Sequence, residues 1–246
     1  MIRNKKLYAV GIGPGAYEQM TIQAVTCLKE SRMIIGYTVY IDLIREYFPE
    51  KEMRATPMMQ EVARCRMALE EADRGGTLSL VCSGDSGIYG MAGLLMELAG
   101  EYPEVTVEVI PGVTAACGGA AILGAPICHD FAVISLSDLL TPMELIRQRV
   151  EGAAKANMVI CLYNPSSKKR SDYLQQACDL ILLHQSPQTI CGIARNIGRE
   201  EQTAQVLTLQ ELSDTQVDMF TTVYIGNSFT KEEGGKMITP RGYQYV

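Results

Sequence analysis

The sequence predicts an α/β protein of two domains, the first built on a mostly parallel sheet and the second on a mixed sheet. Three observations carry this. The chain has 246 residues, which suits one large or two small α/β domains. Short apolar runs between residues 7 and 110 alternate with helical stretches of roughly 10–15 residues, the pattern of βαβ units. After Gly124-Ala125-Pro126 the apolar runs crowd together with less helix among them, as in a sheet that includes hairpins.

In order along the chain, residues 7–12 read as a strand, followed by a glycine loop and a helix from about Thr21 to Glu30. A short strand at 32–35 precedes a helix over 39–47 that stops before Pro49. Residues 51–55 form a weak strand. Pro57 then suits the first turn of a long helix that ends near Gly75-Gly76. Residues 78–82 and 105–110 complete a sheet of five strands. In the second half, 131–136 is a strand. Thr141-Pro142-Met143-Glu144 reads as a capping box, with Thr141 as N-cap and Pro142 at the first helical position. Residues 158–163 form a strand and 169–183 a helix. Strands at 189–194, 204–209 and 221–225 follow, with Asn196-Ile197-Gly198 as a hairpin turn. The domain boundary falls between residues 115 and 128, and we divide the chain as 1–122 and 123–246.

Composition narrows the function. A net charge of −6 argues against nucleic-acid binding, which needs a basic surface. The eight cysteines include no pair three apart, so no CxxC metal or redox motif exists. Most lie in apolar segments and read as buried free thiols of a reducing compartment. No apolar stretch is long enough to span a bilayer, and the N-terminus has no signal-peptide pattern. The sequence thus predicts a soluble, cytoplasmic protein with no metal site, no membrane and no nucleic-acid partner.

The richest motif is Ser83-Gly84-Asp85-Ser86-Gly87-Ile88-Tyr89-Gly90. It follows a buried strand and precedes a helix, where ligands bind in open α/β sheets. Its glycines let backbone approach a ligand without an intervening Cβ. Asp85 is both a helix cap and a group facing the ligand. Pro111-Gly112-Val113-Thr114-Ala115 follows another strand and offers small residues with the Thr114 hydroxyl as a polar anchor. Gly11-Ile12-Gly13-Pro14-Gly15-Ala16 fits G-x-G-x-x-A, the dinucleotide fingerprint. Pro14 removes an amide from that turn, and no acid follows the second strand, so a nicotinamide-dependent oxidoreductase is the weaker reading. His129 beside Asp130 is a candidate general base. His184, at a helix end, suits the helix dipole. Lys168, Lys169 and Arg170, and Arg195 and Arg199 around the Asn196 turn, are candidates for gripping carboxylates.

These strings together resemble a known family. YAVGIGPG, SGDSGIYGM, PGVTAA and IGNS resemble the tetrapyrrole methyltransferases over about residues 7–243. Within it, GAPICHDFAVISLSDLLTP, LYNPSSKKR, IARNIGR and MITPRGY are similar to the precorrin-3B / cobalt-precorrin-3 C17-methyltransferases of cobalamin synthesis. Ser86 stands where the wider family more often has proline, a change at home in the C17 branch. The resemblance implies two α/β domains with the active site in the cleft between them, and commonly a homodimer. It implies S-adenosyl-L-methionine as cofactor, S-adenosyl-L-homocysteine as product, and a small-molecule tetrapyrrole as substrate. It puts Pro14, Ser83, Gly84, Asp85, Ile88, Tyr89, Thr114, Ala115, Asn164, Asn196 and Gly198 at the cofactor. Ring contraction accompanies methylation at C17, with Asp85, His129 and Asp130 as candidates for moving protons. Methylation at C20 or C11 is the nearest alternative.

Overall fold

A computed structural model describes residues 4–167 and 171–243. The chain forms two compact units, one through Ala115 and one from Ala116. The helix Ala115–Leu123, all but its last residue of which lies before the sequence division at 122/123, falls almost wholly in the second.

The first unit contains β1 (Lys5–Gly11), α1 (Ile22–Glu30), β2 (Met33–Tyr37), α2 (Thr38–Ile44), β3 (Glu52–Thr56), α3 (Glu61–Asp73), β4 (Gly76–Cys82), α4 (Ala92–Ala99) and β5 (Thr106–Ile110). Its sheet has the order β3-β2-β4-β1-β5, and every pairing is parallel. The apolar run of β4 is explained by burial on both faces. Leu78, Leu80 and Cys82 pack with Cys65 and Leu69 of α3 and Leu95 of α4. Val81 faces the other way, toward Leu28 of α1 and Ile41 of α2. Each such fully buried aliphatic side chain contributes roughly 1.5–3 kcal/mol. On that second face, the fully buried hydroxyl of Ser79 is satisfied by Ser31 at 2.8 Å.

This arrangement creates a topological switch point. From β1 the chain leaves toward β2 by way of α1 on one face; from the neighbouring β4 it leaves toward β5 by way of α4 on the other. The carboxyl ends of β1 and β4 therefore diverge and leave a crevice outside the sheet.

The second unit contains α5 (Ala115–Leu123), β6 (Gly124–Ala125), β7 (Phe131–Ser135), α6 (Met143–Lys155), β8 (Val159–Tyr163), α7 (Tyr173–Leu182), β9 (Ile190–Arg195), β10 (Thr203–Thr208), α8 (Leu209–Ser213), β11 (Thr221–Ile225), β12 (Lys231–Glu233) and β13 (Lys236–Ile238). Its main sheet runs β10-β9-β11-β8-β7. Only β7 and β8 pair in parallel, and the other pairings are antiparallel. The mixed character read from the crowded strands is therefore present. Its core joins Leu162, Val223 and Cys191 of the strands to Val150 of α6 and Ile181 of α7. Helix α5 sits close because it is made of small residues: a Cβ on Gly119 would meet Ile197 at 2.9 Å and Ala194 at 3.1 Å.

Two helix starts differ from the sequence reading. Helix α3 begins at Glu61, not at Pro57, because Met59 takes a left-handed φ of 63° that no helix continues. Helix α6 begins at Met143 with Pro142 as its N-cap at ψ 137°, so Thr141 lies outside and caps nothing. Glu144 instead accepts from Gln148 at 3.3 Å. A capping box does form at Thr208 and Glu211 on the short α8, which lacks the length for a periodic signal. The small β6–β13–β12 sheet was likewise beyond sequence reading, its strands being only two or three residues long.

Candidate functional site

Three glycine loops meet at the switch point. Ile12 N–H donates to Cys82 O at 2.9 Å, Gly13 N–H to Gly84 O at 3.1 Å, and Gly84 N–H to Gly13 O at 2.7 Å. The loop after β1 is thus zipped to the octapeptide after β4. Both bridging residues are left-handed, Gly13 at φ 75° and Gly84 at φ 68°, conformations that glycine adopts without a Cβ penalty. A Cβ on Gly11 would lie 2.7 Å from both Gly84 O and Gly112 N. The loop after β5 is therefore stacked against the other two, backbone on backbone. This weakens the dinucleotide reading: the Gly13 amide is taken by Gly84 O, a Cβ on Gly13 would meet Gln19 O at 2.7 Å, and Pro14 has no amide to offer a phosphate.

Asp85 organises what this stacking exposes. Its Oδ1 accepts the amides of Gly87 at 2.8 Å and Ile88 at 3.0 Å. Its Oδ2 accepts Gly112 N–H at 3.0 Å. The carboxylate is thus held by three backbone donors and serves as a junction more than as a simple helix cap. Ser86 is fully buried and its hydroxyl donates to Ile110 O at 3.1 Å. That bond gives the serine a local purpose where proline has none to offer. Beyond it, Gly87, Ile88 and Tyr89 are exposed, and Tyr89 is held at φ 54°. Pro14 is buried beside Gly13, while Ser83, Thr114 and Ala115 are half-buried at the same strand ends. The structure therefore brings together all the sequence-predicted residues of the first unit.

In the second unit, β9 runs parallel to β7 and β8 because β11 is antiparallel to both β8 and β9. The ends of β7, β8 and β9 share one edge of the sheet. Asn164, at φ 53°, donates from Nδ2 to Ser135 Oγ at 2.9 Å there. Asn196, at φ 52°, donates its N–H to Phe220 O at 3.2 Å, and Gly198 N–H donates to Gln202 at 2.8 Å. Arg195 Nε donates to Asp218 Oδ2 at 2.8 Å. Burial alone would raise the Asp218 carboxyl, but hydrogen bonds from Arg195, Thr221 and the Phe220 amide outweigh it and hold the group below its usual range. Arg199 lies over the Phe220 ring, 5.8 Å from its centre, a cation–π distance.

His129 and Asp130 enter β7 at the other edge, where Asp130 O accepts Val159 N–H at 3.1 Å. A five-residue strand separates them from the edge that carries Asn164 and Arg195, roughly 16 Å at ~3.3 Å per residue. The His129 ring nitrogen accepts from the Asp130 amide at 2.8 Å, and both residues are exposed. His184, read as a dipole partner, lies 3.3 Å from Glu151. Lys168, Lys169 and Arg170 lie outside the described residues.

Sequence reading missed three participants. Ser135 positions Asn164; Asp218 fixes Arg195; Tyr163 receives the Ala116 amide at 2.6 Å. Only Ser135 and Tyr163 had a signal, as polar ends of apolar strands. Asp218 sits in an unpatterned loop.

The switch-point loops offer backbone groups, hydroxyls and exposed apolar side chains, with Gly87 lacking a Cβ. This set fits the uncharged adenosyl part of S-adenosylmethionine, which needs backbone partners and apolar contact and no metal. Among the described residues no cluster of three or more potential metal ligands occurs, and no helix is long and apolar enough to cross a membrane.

Residues 6–213 match the profile of the tetrapyrrole (corrin/porphyrin) methylases. The chain is 42% identical over 238 residues to a probable cobalt-factor III C(17)-methyltransferase of Salmonella typhimurium, covering 96% of this chain and 99% of that one. It is 41% identical over 244 residues to the cobalt-factor III methyltransferase of Priestia megaterium, where it covers 97% of this chain but only 45% of the longer relative. The crystal structure of the methyltransferase CobJ superimposes with a TM-score of 0.87 at 32% identity, over 95% of this chain and 99% of that one. A uroporphyrin-III C-methyl transferase from Thermus thermophilus complexed with S-adenyl homocysteine shares the fold at 20% identity, with a TM-score of 0.70 over 94% of this chain and 97% of that one. The chain belongs to the tetrapyrrole (corrin/porphyrin) methylase family and is a methyltransferase that uses S-adenosylmethionine.

Proposed function

We propose that this protein methylates a cobalt-factor III type tetrapyrrole at C17, with ring contraction, in cobalamin biosynthesis. The observation that carries the reading is the identity of 42% to a relative named for that reaction, across 96% of this chain and 99% of the relative. The cofactor supplies an electrophilic methyl group on a sulfonium. Pro14, Ser83, Gly84, Ile88, Tyr89, Thr114 and Ala115 are its proposed contacts in the first unit, and Asn164, Asn196 and Gly198 those in the second. Such a transfer needs alignment more than a strong base, and holding both partners at near-attack distance can contribute ~7–11 kcal/mol. The stacked glycine loops supply that rigidity.

We assign Asp85 a shaping role, because both carboxylate oxygens are already hydrogen-bonded to amides. His129 and Asp130 are not assigned proton transfer, because their edge of the second sheet is remote from Asn164 and Arg195. Arg195, Arg199, Lys168, Lys169 and Arg170 are the proposed grips for substrate carboxylates. Reversing the charges of Arg195 and Arg199 together weakens tetrapyrrole binding on this reading; an unchanged affinity removes them from it. We further propose a homodimer working in the cytoplasm, which sedimentation equilibrium and cell fractionation test.

The deciding experiment incubates the protein with methyl-labelled S-adenosylmethionine and either cobalt-factor III or metal-free precorrin-3B. The expected product gains one methyl at C17, located by NMR, from the cobalt substrate. Label at C11 or C20, or none, overturns the assignment.

A further inference from the structure

Arg64, on the first turns of α3, is only 3% exposed. Its partners are all uncharged. Nε donates to Thr56 Oγ1 at 2.5 Å, Nη2 to Pro57 O at 2.9 Å, and Nη1 points at Met91 Sδ at 3.2 Å. The guanidinium lies over the Tyr37 ring, 5.9 Å from its centre. Among the described residues no carboxylate pairs with it. Burying a cation without a counter-ion is costly, and an apolar side chain of similar size serves simple packing better. A retained guanidinium is explained by what only it does: it sends directed contacts to several backbone corners at once.

Those corners are the ends of three strands. Tyr37 closes β2, Thr56 closes β3 with Pro57 next to it, and Met91 directly follows the octapeptide after β4. All lie at the carboxyl edge that carries the glycine loops. The first unit has two described non-glycine residues at positive φ, Met59 at 63° and Tyr89 at 54°. Each stands two residues from an atom that Arg64 holds, Met59 after Pro57 and Tyr89 before Met91. Strained residues of this kind persist only where their surroundings over-determine them.

We propose that Arg64 is a positioning residue for the cofactor loop: from beneath the sheet edge it pins Met91, and through Met91 it holds Ile88 and the left-handed Tyr89 in their binding arrangement. The inference rests on the proposed cofactor contacts of Ile88 and Tyr89. Its test uses the full-length protein with Arg64→Met and Arg64→Lys. S-adenosylhomocysteine affinity is read by calorimetry well below each variant's melting temperature, and amide exchange is followed at Gly87 to Gly90. The expected result for Arg64→Met is an affinity loss of about tenfold or more with faster exchange confined to the octapeptide. Arg64→Lys restores part of both. A lowered melting temperature with unchanged affinity and unchanged octapeptide exchange makes Arg64 a stability residue only and overturns the proposal. If Arg64→Met fails to fold, Arg64→Lys alone decides by the same two readouts. If the unaltered protein does not bind S-adenosylhomocysteine, the cofactor assignment fails, and the exchange data still judge Arg64.

Discussion

The Asp85 carboxylate holds the Gly112 amide at 3.0 Å, reaching from the loop after β4 to the loop after β5 although β1 lies between those strands. One side chain thus ties the loop after β4 to the loop after β5. Asp85→Asn keeps the shape but presents an NH2 group where one oxygen accepted a backbone donor. The expected cost is about 1–3 kcal/mol, the penalty for an amide left without its charged acceptor, with weaker S-adenosylhomocysteine binding. Urea unfolding and calorimetry check both. Undiminished affinity in Asp85→Asn or Asp85→Ala means that the junction does not shape the cofactor loop.

Glycine substitutions should separate by sign. A Cβ on Gly11 meets Gly84 O and Gly112 N at 2.7 Å, and backbone cannot yield as a side chain tip does. Gly11→Ala is expected to destabilise by about 2 kcal/mol or more. Gly93, inside α4, has nothing within 4 Å of the added Cβ. Gly93→Ala should stabilise by roughly 0.5–1 kcal/mol through helix propensity. Thermal melts of the two variants decide, and two shifts of the same sign contradict the packing described.

Acid should expose the role of Glu71. Its side chain is 10% exposed and is surrounded by Arg54, Arg74 and Arg32. Arg54 foremost, working against burial, holds its carboxyl below the ordinary value of 4.5. Because the folded carboxyl has the lower pKa, its stabilisation is complete above about pH 4.5 and drains away as pH falls through the folded value. Glu71→Gln should cost about 1–2 kcal/mol at pH 7, reduced because its partners are solvent-screened. The gap to the unaltered protein should close in acid. A gap that is constant from pH 7 to pH 3 contradicts this.

Thiol chemistry gives an independent reading of burial. Cys117 and Cys128 are exposed, and the other six of the eight cysteines are buried. Burial pushes the Cys82 thiol up to about 11 and Cys65 up to about 12, so neither carries thiolate at pH 8. A thiol reagent should therefore label two groups quickly in the native protein and the remaining six only on unfolding. Mass spectrometry of the labelled peptides identifies them.

Much of the first unit was legible because its signals are local. The apolar runs of β1, β2 and β4 are buried on both faces, and the glycines stand where the strands end. Thr21, read as the approximate start of the first helix, is its N-cap and accepts the Ala24 amide at 3.0 Å. What sequence did not reveal depends on contacts far apart in the chain. That Asp85 is spent on Gly112, and Arg195 on Asp218, follows from pairings that no spacing encodes. The parting of His129 from Asn164 needed strand direction: adjacency to a strand was readable, but which edge of the sheet it faced was not. Thr141 and Pro57 misled because their local chemistry suits a helix start, while the neighbouring backbone, extended at Pro142 and left-handed at Met59, begins the helix later.

The central place of β1 has a kinetic consequence. Leu7 pairs with Leu78 on one side and with Val107 on the other, so the first strand made waits for partners that emerge much later. Such non-local pairing must meet its loop-closure entropy before it is rewarded, and it folds slowly. The three glycine loops cannot stack until Gly112 has been synthesised. Ligand capture at this edge therefore reports that the whole first unit is assembled, and a nascent chain arrested before that residue holds the motifs without the site.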